Sequence, residues 1–81
     1  MYRYRADLLR EFLRHGVRPT PSTPPALVRG FVRDLYKYEI LRLKERLLRK
    51  EFPKAEYASR VDALRRQYPV LALTPDQFLE P

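Results

Sequence analysis

The 81-residue chain reads as an all-α protein, a small three-helix arrangement built around one long central helix. Three observations predict it. Apolar residues recur at helical spacing in three separate stretches, no proline interrupts the long central one, and the one short apolar run that could pair as an edge strand, at 70–73, has no second strand to pair with. A hydrophobic content of 44% with ten aromatics is enough for a folded core, although a third of the residues are charged. At this length one domain is expected, with a core that buries only about 60% of the unfolded chain's surface.

The first helix is expected over residues 4–15, where Leu8, Leu9, Phe12 and Leu13 share a face. Gly16 then stands where a left-handed helix cap is wanted. Residues 16–25 form a proline-rich connector, with four prolines between Val17 and Pro25; proline lacks a backbone donor and turns its predecessor away from helix, so a stiff strap is expected. Thr23 is the expected N-cap of the next helix, with Pro24 and Pro25 in its first turn.

The long helix is expected over 25–51, about 40 Å at 1.5 Å per residue. Its apolar residues fall into two sectors. Leu27, Phe31, Leu35, Tyr38, Leu41 and Leu48 occupy one, and Val28, Val32, Tyr36, Ile40, Leu43 and Leu47 an adjoining one. The expectation is that the first helix covers one sector and the third helix the other, with any remainder left for a partner. Between the sectors runs a basic stripe of Arg29, Arg33, Lys37 and Lys44. Glu39 and Glu45 stand at i,i+3 and i,i+4 from Arg42 and Arg49, and Asp34 stands within reach of Lys37.

Pro53 ends that helix, and residues 54–67 form the third, with Tyr57, Val61, Leu64 and Tyr68 on a single face. So short a link makes the pair an antiparallel hairpin. Asp62 lies within helical reach of Arg65 and Arg66. Residues 68–81 are expected as an extended strap followed by one helical turn, which Thr74 and Gln77 open as a capping box.

Net charge is +7 and unevenly placed: residues 1–50 carry 13 Lys/Arg against 5 Asp/Glu, and residues 51–81 carry 4 against 5. Such a field attracts acidic proteins, nucleic acid or anionic membrane. The 13 arginines against 4 lysines, with no asparagine or cysteine, fit a thermophilic composition as well as they fit codon bias.

Catalytic chemistry has little to work with. There is no cysteine, His15 is the lone histidine, and neither Ser22 nor Ser59 sits in a nucleophile elbow. Gly16 and Gly30 cannot form a phosphate-cradling loop. No enzyme, metal or cofactor is therefore expected. The charged start and the lack of a long apolar run point to a cytoplasmic chain rather than a secreted or membrane-spanning one.

What remains is a non-enzymatic basic interaction or accessory protein that docks on an acidic protein surface or assembles with itself. The candidate partner- or anion-binding residues are Arg29, Arg33, Lys37 and Lys44 of the long helix with Arg3, Arg5, Arg10 and Arg14 of the first; Tyr2, Tyr4 and Tyr36 are the candidate aromatic contacts. Nucleic-acid binding through the same cations is the alternative. A membrane surface ranks last, on Arg10 and Arg14 opposite Leu9, Phe12 and Leu13.

Overall fold

The computed structural model describes residues 1–81 and is all-helical: α1 (Ala6–Arg14), α2 (Pro25–Leu48) and α3 (Tyr57–Arg65), with 3-10 turns at Lys54–Glu56, Pro69–Ala72 and Pro75–Phe78. No strand forms. Residues 3–5 and the C-terminal tail meet in a single antiparallel bridge, Tyr4 to Leu79, flanked by Arg5 N–H to Phe78 O (2.9 Å) and Glu80 N–H to Arg3 O (2.7 Å). That pairing holds Tyr4 in extended backbone, so α1 begins later than its apolar pattern suggests.

The two sectors of α2 are treated unequally, contrary to the expectation that the flanking helices would cover one each. α1, the tail and the end of α3 all pack on the Val28 side. There Tyr4, Leu8 and Phe12 meet Val28, Val32, Tyr68, Val70 and Phe78 in one core. Phe12 and Phe78, both fully buried, touch edge to face with centroids 5.1 Å apart. Truncating either to alanine would cost about 3–5 kcal/mol by lost transfer energy and cavity formation.

Beyond this core α3 runs back along α2. Phe52 and Leu43 are buried at the turn, where the guanidinium groups of Arg60 and Arg46 lie 4.2 and 5.8 Å from the Phe52 ring centroid. Tyr68 reaches Glu39 farther down. Contacts that move away from the turn on α3 thus move toward the N-terminus of α2, consistent with an antiparallel hairpin. Two cores end to end make the molecule long, 48 × 17 × 17 Å with a radius of gyration of 15.0 Å, against about 12 Å for a compact domain of this length.

Helix ends depart from the expected boundaries for local reasons. Thr23 does not cap α2. Its hydroxyl accepts the Thr20 N–H (3.0 Å) and closes a turn inside the connector, while Pro24 occupies the N-cap position. At the other end α2 stops at Leu48 because Lys50 adopts a left-handed conformation (φ 60°): Lys50 N–H bonds Leu47 O (2.9 Å) and Glu51 N–H bonds Arg46 O (3.0 Å). This is the Schellman closure that glycine usually makes. Gly16 (φ 76°) makes the same closure for α1, with Gly16 N–H to Leu13 O and Val17 N–H to Phe12 O, and directs Val17 onto the core. The strap expected at 70–73 is instead a 3-10 turn, and the tail's capping box is present at least in its Gln77 arm, whose side-chain oxygen accepts the Thr74 N–H at 2.8 Å.

These two caps differ in what occupies the left-handed position, and substitution should tell them apart. Lys50→Gly is expected to stabilise by about 1 kcal/mol by relieving the cost of a side chain at positive φ, and Gly16→Ala to destabilise by about the same amount. Urea unfolding midpoints at unchanged slope are the measurement.

Candidate functional site

The uncovered side of α2 is the feature of this molecule that its own core does not explain. Leu27, Phe31, Tyr38, Leu41 and Leu48 are each more than half exposed, while Leu35 in the same sector is half-buried against the core. Their positions follow a heptad, with Phe31 and Tyr38 at a and Leu27, Leu41 and Leu48 at d; Glu45 takes the next a and Asp34 the intervening d. A strip of that kind amounts to exposed apolar area on the order of 500 Å², at the upper end of what a monomer shows. At its N-terminal end it borders a groove of about 230 Å³ between α2 and the connector, lined by Val17, Pro19, Leu27 and Phe31. Farther along, Leu35, Tyr38 and Arg42 share a cleft with Arg14 of α1 and with His15, which follows it.

The predicted cations divide into those the fold uses and those it leaves free. Arg29 is used. Its Nε and Nη2 donate to the carbonyls of Leu73 (2.9 Å) and Leu71 (2.8 Å), pinning the Pro69–Ala72 turn onto α2, so the fold engages the guanidinium that spacing alone left free. Arg5 is used as well: it donates to Asp7 (2.8 Å) and to Gln77 O (3.3 Å), and the hydrogen bond from its guanidinium holds the Asp7 carboxyl below the usual carboxylate range. Arg14 pairs with Glu11 at 3.0 Å but stays exposed beside the Tyr38 cleft.

Lys37 and Lys44 carry no ion pair and are exposed; Arg3, ahead of α1, and Arg10, in its middle, are likewise exposed and unpaired. Arg33 makes only a loose contact with its neighbour Asp34, 3.8 Å. Asp34 therefore does not pair with Lys37.

Among the aromatics, Tyr4 is removed from the candidate surface. It is buried, its hydroxyl donates to Thr23 O, and burial raises its phenol pKa. Tyr36 is half-buried with its ring edge-on to Tyr68, 5.3 Å between centroids, which leaves it little freedom to stack on a ligand. Tyr2 keeps an exposed side chain, although its N–H is tied to Pro21 O at 2.8 Å.

Arg42 and Arg49 belong at the site although helical spacing assigned them to Glu39 and Glu45. Arg49 does meet Glu45, at 3.5 Å, and also Glu51, at 3.7 Å, in exposed pairs of small energetic weight. Glu39 instead accepts a hydrogen bond from the Tyr68 hydroxyl. That frees Arg42, whose guanidinium hangs over the Tyr38 ring 5.9 Å from its centroid. The competitor for Glu39 arrives from 29 residues away, so only the folded hairpin reveals it. His15 completes this corner: it stacks on Tyr68 at 4.2 Å and its Nε2 lies 2.9 Å from Gln67 O, which can only accept, so Nε2 carries a proton.

Both structural assignments can be checked. Arg29→Met should destabilise by about 2–3 kcal/mol through two lost charge-assisted bonds and two orphaned carbonyls, and Arg29→Lys should recover less than half of it because the fork is lost. Chemical denaturation measures both. Burial, with Glu39 beside it, raises the Tyr68 phenol pKa well above its usual value. A phenol whose native pKa lies above its unfolded one contributes stability in full below about pH 10 and loses it as pH climbs toward the native value. Alkaline unfolding scans should therefore show stability falling above about pH 10, with a shallower slope in Tyr68→Phe than in the parent chain.

Compared with known protein families, with curated proteins and with solved structures, the chain matches none of them.

Proposed function

We propose that the protein is a non-enzymatic interaction or accessory module, and that the uncovered face of α2 is the surface with which it docks on another protein. The observation that carries this reading is the exposed a/d strip of Leu27, Phe31, Tyr38, Leu41 and Leu48 within a cationic border. An apolar centre with a polar rim is the anatomy of a protein interface. Tyr38, with Arg42 over its ring, is the type of residue pair that concentrates binding energy at such surfaces. An acidic protein surface suits the border, and a second copy of the chain would also cover the strip.

Nucleic-acid binding is the second reading, and it draws on Arg3, Arg10, Arg33, Lys37 and Lys44. Their exposure favours it, whereas the apolar strip has no part in tracking phosphates, and Tyr4 and Tyr36 are engaged in the fold. Such binding would weaken steeply with salt.

A photo-crosslinking residue placed at Leu41 in the native host, compared with one at exposed Ala58 on α3, separates these readings. Crosslinks to protein from position 41 and none from 58 are expected. Crosslinks to nucleic acid alone, or no adduct from position 41, would rule out protein docking by this face.

A further inference from the structure

We infer that the occupant of the α2 face is an amphipathic helix of a different protein, with an apolar heptad seam and acidic flanks, and not a second copy of this chain. The inference rests on the docking role proposed for that face and specifies its partner. Three features lead to it: the period of the strip, the charges on its two edges, and the acids within it.

The exposed residues fall at spacings of 4, 7, 3 and 7 from Leu27 to Leu48, the skipped seam positions being Asp34 and Glu45, so they follow one heptad line about 32 Å long on a single uninterrupted helix. A helix lying alongside is the partner whose side chains meet such a line at every turn. A globular surface would touch it at one or two points. The groove beside Leu27 and Phe31 and the cleft beside Tyr38 leave room on that side for a partner's side chains.

From Lys37 onward both edges of the line are positive; ahead of it the flanking positions are Val28, Gly30 and Leu35. The g positions hold Lys37 and Lys44, and the e positions hold Arg42 and Arg49, with Arg14 of α1 entering the same cleft as Arg42. In paired helices the e and g residues face the e and g residues of the neighbour, and like charges there oppose association. For two copies of this chain no orientation avoids the clash. The antiparallel register that sets Phe31 on Leu48 and Tyr38 on Leu41 brings Lys37 beside Lys44 and Asp34 against Glu45 of the other copy. The parallel register brings Lys37 beside Arg42, Lys44 beside Arg49, and each seam acid against its own counterpart. A helix carrying glutamates at its own e and g positions reverses every edge contact from repulsive to attractive, and steers encounter as well. The +7 net charge adds a long-range field of the same preference.

The test uses the full chain and three synthetic heptad-repeat peptides: one with leucine at a and d and glutamate at e and g, one with lysine replacing those glutamates, and one with the acidic peptide's composition in scrambled order. Titration followed by calorimetry and by gain of helical circular dichroism should show binding of the acidic amphipathic peptide, with both control peptides weaker by about tenfold or more. Sedimentation velocity of the free chain should show a monomer. Leu41→Glu, at an exposed site that leaves the fold intact by circular dichroism, should abolish the acidic peptide's binding. The double variant Lys37→Glu, Lys44→Glu should shift preference toward the lysine-flanked peptide. Equal binding of the scrambled peptide would reduce the effect to bulk charge and overturn the inference. So would equal binding of the lysine-flanked peptide, absence of binding by any peptide, or a dimer that Leu41→Glu dissolves. A self-crosslink from position 41 in cells, joined to such a dimer, would leave protein docking standing and remove only the acidic-helix partner.

Discussion

The structure depends on one asymmetric burial, the covering of the Val28 and Val32 side of α2 by everything else in the chain. Val32 is fully buried, as are Phe12 from α1 and Phe78 from the tail, so three remote segments meet on one side of one helix. Covering a helix of 24 residues, about 36 Å long, with two helices of nine residues each requires placing them in two storeys along its length. Placing both on the same side leaves the opposite side without neighbours. The elongated shape and the bare strip are thus two results of a single packing choice.

That choice imposes polar costs which the chain meets locally. A tail folded as 3-10 turns against a helix exposes carbonyls that no regular ladder satisfies, and Arg29 reaches two of them, those of Leu71 and Leu73. The Tyr68 hydroxyl, carried inward by its buried ring, finds Glu39, and the Tyr4 hydroxyl finds Thr23 O. No buried side-chain polar atom is left without a partner. In so small a core this completeness matters, because one orphaned group costs about 1–3 kcal/mol out of a total stability that is itself only several times larger.

How far the residues foretold this differs by the range of the interaction involved. The three helices, the Gly16 cap, the Thr74–Gln77 turn and the i,i+4 pairs Arg49–Glu45 and Arg66–Asp62 depend on neighbours within a few positions, and periodicity reads them directly. The division of α2 into two apolar sectors and a basic stripe was also legible. Which sector would be covered was not, since that depends on where α1 and the tail settle after the connector turns at Thr20–Thr23. The same holds for the charges. Arg29 looks as free as Lys37 by spacing, and it is a residue 44 positions away that occupies it. The end of α2 was misplaced for a local reason: Lys50 takes a conformation normally signalled by glycine, so the sequence carries no marker there.

The bare strip and its border are best understood together. Leu27, Phe31, Tyr38, Leu41 and Leu48 contribute little to folding of the single chain, since most of their surface stays in water whether the chain is folded or not. Whatever free energy those side chains hold in reserve is released only when something covers them. An uncharged strip of this size would be covered first by another copy of itself. Lys37, Lys44, Arg42 and Arg49 on the edges, with Asp34 and Glu45 in the seam, oppose that outcome in either orientation, while opposite charge on the edges of a different helix would favour association. On the proposed docking role the cations act twice at one surface: they disfavour pairing of the strip with its own copy, and they set the sign of charge that suits an occupant.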